Sequence, residues 1–402
     1  MFENIIGQAA AVEALRRELT GGSYPAAALL HGPPYAGKLS AALEIARVLT
    51  CLREGEWSCS CLSCRKQRLL VHPATLLAGS RYFEADIAAA AGCLRRVRTP
   101  QTRYLFIRAV RKLTRRFDPP LWEGEDSRLR PLAGSLAQVE EALDALSPEE
   151  PGGGEPEAEE LERSLEAVLS GCRQLARALP QTNIPIQLVR RAAAWLRLTA
   201  PGPGARRVLV LENAEGMLEA SSNSLLKLLE EPPPDAFIVL TTTRRAALAP
   251  TVLSRLRPYQ FTERSRAETA EVLARIFREE DPSHTGLREY FLHWREVDSG
   301  RIGSFSRSFV EALVSEGEAS DGEILERLAE LFGGKEARES AGLFYEELLA
   351  RFGELLRGGA ASPRRLARWN AVLNGHREAC ERYNQSPLLN LESLFHSLKA
   401  AS

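Results

Sequence analysis

The sequence lacks an apolar run that approaches the roughly 18 residues a membrane-spanning helix needs. Its first residues, MFENIIGQ, contain no basic stretch followed by an apolar core, so no secretory signal is predicted. Charge of one sign is also missing, because 52 Lys and Arg residues balance 53 Asp and Glu residues to a formal net charge of −1. Any nucleic-acid contact would therefore come from a local basic patch. We expect a cytoplasmic protein with no membrane partner.

Cysteine is scarce, at 7 of 402 residues, but four of the seven stand close together: Cys51, Cys59, Cys61 and Cys64. Disulfides rarely persist in the cytoplasm. Four thiolates bind Zn²⁺ tetrahedrally and leave no open position for catalysis. The spacing therefore predicts a structural zinc site, with His72 as a reserve ligand that also fits the start of a strand. The alternative is a set of free thiols.

Three buried strands are predicted from short, unbroken apolar runs. The run AAALLHG ends at Gly32 and is followed by a Gly-rich turn and a helix; Val208–Leu211 and the segment 237–243 are the other two. Unbroken runs are typical of strands that are covered on both faces. Strand, turn and helix in this order predict an α/β fold with a parallel sheet. From Thr262 onward the pattern is wholly helical.

The turn after the first predicted strand has the spacing G-x-x-x-x-G-K, formed by Gly32, Gly37 and Lys38. Backbone N–H groups of such a loop surround phosphate oxygens, and the lysine adds a positive charge. Leu39 stands where a Ser or Thr hydroxyl would bind Mg²⁺. Ser40 is a poor substitute, because it points about 100° away round the helix. Two alternatives stay open: a loop that binds ATP and Mg²⁺, or an empty structural remnant.

Glu212 and Asn213 follow the second predicted strand, where a nucleotide hydrolase would carry a metal-binding Asp and a catalytic Glu. Glu212 could still reach a metal ion. The amide of Asn213 cannot accept a proton, and loss of a general base costs roughly 10²–10⁴-fold in rate. We therefore expect the site to be degenerate and to hydrolyse little ATP.

A long segment between the first and second predicted strands differs in character. Residues 94–116 hold nine basic and no acidic side chains, whereas Pro148–Glu160 holds six Glu with three Gly and three Pro. We interpret 80–180 as an insertion that is helical at both ends with a disordered middle. Its basic helix could contact DNA phosphates. We favour the alternative, in which this helix packs through Phe106, Val110 and Leu113 and its arginines are solvated or paired with the Glu-rich stretch.

Several segments together resemble the clamp-loader subunits of bacterial DNA polymerase III, which belong to the AAA+ class, and most closely the delta-prime type. The matching segments are FENIIGQ (2–8), GPPYAGK (32–38), the cysteine cluster with His72-Pro73, NSLLKLLEEPP (223–233), LSR (253–255) and YNQSPLLNLESLF (383–395).

The resemblance implies three domains. Residues 1–261 would form the AAA+ α/β domain, with a zinc-binding loop at 51–64 and a mostly helical insertion at about 80–180. Residues 262–315 would form a helical lid, and residues 316–402 a helical collar that assembles a pentamer.

The resemblance also implies a function, which is to help load the sliding clamp on primed DNA together with the gamma/tau and delta subunits. In this family an arginine reaches ATP held by the neighbouring subunit, and Arg255 matches it within Ser254-Arg255-Leu256. Thr242 matches a position that senses the γ-phosphate, and Arg307 is the candidate for a second sensor. The chain would be part of the polymerase holoenzyme without being catalytic alone.

Two other functions stay open at this point. One is an active, ATP-hydrolysing subunit of the gamma/tau type, since Lys38 is retained. The other is a zinc-dependent nucleic-acid-binding module with a decayed phosphate loop.

Overall fold

The computed structural model describes residues 1–81, 83–148, 157–180, 183–198, 206–279, 286–294, 299–314, 321–334, 337–359, 361–382 and 385–401. The chain divides into two compact units, Met1–Trp294 and Arg295–Ser402. Within the described residues, no helix is both long enough and apolar enough to span a membrane.

The first unit contains a five-stranded parallel sheet in the order β2-β3-β4-β1-β5. The strands are β1 (Ala27–His31), β2 (Thr75–Gly79), β3 (Arg207–Glu212), β4 (Ala236–Thr242) and β5 (Arg257–Gln260). Together with the helices, this sheet confirms the predicted α/β fold class.

The helices of the first unit precede, connect and follow the strands. They are α1 (Ala9–Thr20), α2 (Lys38–Leu49), α3 (Leu62–Arg68), α4 (Glu84–Arg96), α5 (Pro100–Thr114), α6 (Pro119–Trp122), α7 (Asp126–Leu129), α8 (Ala133–Ala145), α9 (Ala158–Ala178), α10 (Ile186–Arg197), α11 (Glu219–Glu230), α12 (Pro250–Leu253), α13 (Arg266–Ile276) and α14 (Leu287–His293).

Alternate residues of each strand face opposite sides of the sheet, and both sides are buried. Leu30, Val210 and Val239 pack with α1 and α2 on one side. Leu29 and Leu209 pack on the other side. That second side is covered largely by α4, α5 and α8–α10 together with α11, so the segment between β2 and β3 is part of the main core. Burial on both faces explains the unbroken apolar runs of the strands.

The described part of the insertion is helical well beyond its ends. Helices α6 to α8 precede the stretch predicted to be disordered, Pro148–Glu160, and their residues Leu121, Trp122, Val139 and Leu143 are buried in the core of the first unit. Helix α9 begins at Ala158, so the last residues of that stretch are helical. Of the predicted disordered stretch, residues 149–156 lie outside the described residues.

Among its described residues, the second unit contains helices joined by short turns and no strand. Its helices are α15 (Ser299–Val314), α16 (Asp321–Phe332), α17 (Ala337–Arg357), α18 (Pro363–Arg382) and α19 (Pro387–Ala400). Phe344 of α17 is fully buried, and its ring lies 5.1–5.3 Å from the rings of Phe305, Phe309 and Phe332. This aromatic cluster forms the centre of the unit's core.

Candidate nucleotide site and cysteine cluster

The predicted phosphate loop joins the carboxyl end of β1 to the first turn of α2. Gly32 has a φ of 149°, and a Cβ atom there would lie 2.2 Å from the carbonyl oxygen of Phe261. Gly37 has a φ of 92° and caps α2, which begins at Lys38. Both positions need glycine because the left-handed region disfavours other residues. Ser40 is the third residue of α2.

The Lys38 ammonium group is turned back onto the loop. It donates to the carbonyl oxygens of Gly32, at 2.8 Å, and Pro33, at 2.5 Å. Burial lowers the pKa of Lys38 to about 8, although the carboxylates of Glu215 and Glu212 oppose this shift. The ammonium group that would bind phosphate thus already donates hydrogen bonds to the protein backbone.

Tyr35 and Arg264 hold the outer part of the loop. Tyr35 has a φ of 58°, and its ring stacks on Phe291 of α14 at 5.1 Å. The Arg264 guanidinium donates to the carbonyl oxygens of Ile6, Tyr35 and Ala36. An aromatic side chain therefore stands where a small residue would let the backbone approach phosphate.

Glu212 lies at the same edge of the sheet, at the carboxyl end of β3. Its Oε2 accepts from Arg116 Nη2 at 2.6 Å, and its Oε1 accepts from Arg81. The side chains of Glu212 and Arg116 are 4% and 2% exposed. Arg81 also pairs with Asp86, and Lys112 lies 3.8 Å from the same carboxylate. The carboxylate predicted to reach a metal is therefore neutralised by arginines.

Polar residues at the carboxyl ends of β3 and β4 form hydrogen bonds with each other and with neighbouring loops. The backbone N–H of Asn213 donates to Thr241 Oγ1, and its side-chain amide donates to the carbonyl oxygen of Ser80. Thr243 donates through both its backbone N–H and its hydroxyl to Glu215. Thr242 is fully buried, and its hydroxyl accepts from the backbone N–H of Arg244.

These residues fit a nucleotide–Mg²⁺ pair poorly. Leu39 carries no hydroxyl, Asn213 carries no basic oxygen that could activate water, and both Glu212 oxygens accept from guanidinium groups. Mg²⁺ binds through carboxylate and hydroxyl oxygens together with substrate phosphates. The loop keeps the backbone form of a phosphate site, but the residues on the metal side do not offer free ligands.

The four clustered cysteines converge between α2 and α3. Their sulfur atoms all lie within 4.8 Å of one another, and Cys51 Sγ is 3.7 Å from Cys59 Sγ and 3.9 Å from Cys61 Sγ. A tetrahedral site with metal–sulfur bonds of about 2.3 Å has edges of about 3.8 Å. The cluster can therefore hold a metal ion.

Arg47 connects this cluster to the helix that follows the phosphate loop. Its guanidinium donates to Cys64 Sγ at 3.1 Å and to the carbonyl oxygens of Gly55 and Glu56, and it forms a buried ion pair with Glu44 at 2.7 Å. A fixed cation beside a sulfur atom favours the thiolate, which is the form that binds metal.

The thiols of the cluster have strongly different acidities. Burial opposes ionisation of Cys61, but hydrogen bonds from the backbone of Cys64 and Leu52 outweigh it and lower the pKa of Cys61 to about 6. Burial and the neighbouring Cys51 thiol raise the pKa of Cys64, while Arg47 opposes that rise. One thiolate is therefore available near neutral pH before a metal ion binds.

His72 is not brought into the cluster as a reserve ligand. Its Nε2 lies 3.0 Å from the Ser63 hydroxyl, and its Nδ1 accepts from the backbone N–H of Ala74. Burial lowers the pKa of His72 to about 4, which keeps the ring neutral. His72 holds the segment just before β2 through these two contacts, which agrees with the alternative interpretation of His72-Pro73 as the start of a strand.

Arg255 lies just after α12. Its side chain is one-third exposed, at 33%, and its guanidinium donates to Glu230 Oε1 at 2.6 Å and to the carbonyl oxygen of Thr251. Arg307 belongs to α15 of the second unit and is exposed. The finger and second-sensor roles of these two arginines stay predictions.

The basic stretch of the insertion is less solvated than we expected. Arg111 is buried and pairs with Glu140 and Asp144, and Arg116 is buried against Glu212. Arg108 donates to the carbonyl oxygens of Gln67 and Arg68. The solvated interpretation is wrong for these arginines because they connect the insertion to the sheet and to α3. Arg95 does pair with an acidic residue close to the Glu-rich stretch, Glu162.

Five residues of the two sites were not predicted from the sequence: Arg81, Arg116, Arg264, Glu215 and Arg47. Arg81 lies two residues after the end of β2, so a basic residue close to the end of a strand was the available signal for the first of them. The others act on residues far away in the chain or on backbone carbonyl oxygens, which leave no local pattern.

The structure places this chain in the class of α/β proteins with a parallel sheet and a loop of phosphate-loop form after the first strand. Residues 163–265 match the family model described as "DNA polymerase III, delta subunit". This match confirms the predicted resemblance to the clamp-loader subunits of DNA polymerase III, without distinguishing between subunit types.

Among solved structures, a DNA polymerase III gamma subunit-related protein from Thermotoga maritima is similar at 22% identity. The similarity covers 55% of this chain and 81% of that chain, with a TM-score of 0.29. No curated protein matches the sequence significantly.

Proposed function

We propose that this chain is a delta-prime-like subunit of the DNA polymerase III clamp loader, which helps to load the sliding clamp on primed DNA. Its partners would be the other clamp-loader subunits, the clamp and, through the complex, DNA. In this proposal the chain does not hydrolyse ATP itself. The main support is that both carboxylate oxygens of Glu212 accept hydrogen bonds from arginines, Arg81 and Arg116. Leu39 and Asn213 support the same assignment.

In this proposal the chain contributes to ATP hydrolysis through Arg255, which acts on a nucleotide held by the neighbouring subunit. A guanidinium group is permanently charged and forked, which suits it to stabilise charge on a transferring phosphoryl group. Arg255 is partly exposed, and its ion pair with Glu230 is at the surface, where such pairs contribute little. The side chain can therefore exchange Glu230 for a phosphate at low cost.

The proposed metal at the four cysteines is a structural Zn²⁺ ion. It would close the loop 51–64, which has a small hydrophobic content of its own, and four thiolates would leave no position for catalysis. The residues that would hold it are Cys51, Cys59, Cys61 and Cys64, with Arg47 donating to one of the sulfur atoms.

The test of the finger role uses the reconstituted clamp loader with Arg255→Ala in this subunit. ATP hydrolysis at the neighbouring site is expected to fall on the order of 10³-fold or more, because an arginine finger contributes that much. Arg255→Lys should not restore the rate, since an ammonium group lacks the fork. The matched control is Arg257→Ala, an exposed arginine two positions along that pairs with Glu18.

Three results would contradict the proposal. One is an unchanged rate in the Arg255→Ala complex, and a second is an equal loss with Arg257→Ala. The third is rapid ATP hydrolysis by the purified chain alone, which would support the gamma/tau-like alternative.

A further inference from the structure

The charged residues at the carboxyl ends of β2 and β3 form a closed, buried network. Arg116 and Arg81 each take one oxygen of Glu212, and Arg81 and Lys112 share Asp86. All five side chains are at most 21% exposed. Three cationic groups thus surround two carboxylates, which leaves no uncompensated negative charge for a metal ion.

Arg116 is held in this network almost entirely by Glu212. Its Nε and Nη1 have no hydrogen-bond partner among the described residues, and its guanidinium carbon lies 5.8 Å from the centre of the Phe83 ring. A buried charge without its partner is strongly destabilising. The carboxylate and the arginine therefore depend on each other, and the arginine comes from the insertion.

A divalent cation at Glu212 would have to displace at least one guanidinium from a carboxylate oxygen. It would also stand beside Arg81 and Arg116 in a buried place, where repulsion between like charges is weakly screened. Leu39 supplies no hydroxyl to offset this cost. These residues do not fit the Mg²⁺ ion that a phosphate-loop protein ordinarily uses.

We propose that Arg81 and Arg116 replace the divalent cation at Glu212, so that the nucleotide side of the sheet is built to exclude Mg²⁺. The insertion, through Arg116, then serves to neutralise the carboxylate that a hydrolase would use for metal binding. The inference rests on the proposed function only in assigning no hydrolysis to this site. Arg255 plays no part in it, so failure of the finger experiment and failure of this one are separate results.

The experiment measures the melting temperature of the full chain as MgCl₂ is added, with Mn²⁺ electron paramagnetic resonance as a direct readout of bound metal. In the parent chain, Mg²⁺ should not raise the melting temperature through binding at Glu212. The Arg81→Met/Arg116→Met variant should melt at a lower temperature, recover several degrees with Mg²⁺, and bind Mn²⁺. Adding Glu212→Gln to that variant should remove both effects.

Arg111→Met is the matched control. Arg111 is a buried arginine, on α5, and it pairs with two other carboxylates, Glu140 and Asp144. The substitution should lower the melting temperature without creating a Glu212-dependent response to Mg²⁺.

Should the double variant fail to fold, Arg116→Met alone exposes one oxygen of Glu212 and permits the same titration. A double-mutant cycle of Arg116→Met with Glu212→Gln should show that the second substitution costs much less in the presence of the first. A Glu212-dependent Mg²⁺ response in the parent chain would overturn the proposal. So would additive effects in the cycle, or no metal response in a folded arginine variant.

Discussion

Gly32 shows how a single residue fixes the geometry of the phosphate loop. Two constraints act on it. Its φ is 149°, and a Cβ atom at this position would lie 2.2 Å from the Phe261 carbonyl oxygen. The backbone at Phe261 cannot move freely, because its N–H donates to the carbonyl oxygen of His31 on β1. Gly32 is therefore required by the packing of the chain, whether or not the loop binds phosphate.

We predict that Gly32→Ala destabilises the first unit by about 1–3 kcal/mol, because it combines a disfavoured φ with a clash against backbone. Chemical denaturation of the full chain measures the change. Gly134→Ala is the control, since Gly134 is helical and a Cβ there meets nothing within 4 Å. That substitution should leave stability unchanged or raise it slightly. Equal effects of the two substitutions would contradict the argument.

At the scale of elements, the sequence predicted those parts of the structure that depend on neighbouring residues in the chain. Strands β1, β3 and β4 could be predicted because burial on both faces leaves unbroken apolar runs. The phosphate loop and the cysteine cluster followed from spacing. The pairing of Glu212 with Arg116 and Arg81 could not be predicted, because those partners lie 96 and 131 positions away. Buried charges at such separations leave no periodic signal, so the arginines of the basic stretch 94–116 were interpreted as solvated or paired with the Glu-rich stretch.

The cysteine loop is an element that we expect to depend on its metal ion. Cys64→Ser should reduce the zinc content of the purified chain and lower its stability on the order of a few kcal/mol, because metal binding contributes directly to the folding of such loops. Elemental analysis and thermal unfolding measure the two effects. Cys93→Ala is the control, since Cys93 is buried but lies outside the cluster. A zinc content that Cys64→Ser leaves unchanged would contradict the assignment.

At the scale of the whole molecule, the two units have separate kinds of core. The first is a sheet with aliphatic side chains on both faces, in which Leu240 of β4 is fully buried. The second is a set of helices centred on aromatic rings, with Phe344 in contact with three other phenylalanines. Each core is made by its own unit, so a substitution in one core should act mainly on that unit. The predicted lid and collar boundaries, at 262–315 and 316–402, remain proposals.

We predict that calorimetry of the full chain resolves two unfolding transitions, and that core substitutions move them one at a time. Phe344→Ala should cost about 3–5 kcal/mol and lower only the transition of the second unit, because it leaves a cavity among aromatic rings. Leu240→Ala should cost about 2–5 kcal/mol and lower only the other transition. Leu389→Ala is the control for the second unit, since Leu389 is 65% exposed and should change neither. A single transition that both core substitutions shift equally would show that the two units unfold as one cooperative body, and the separation of their cores would then have no thermodynamic meaning.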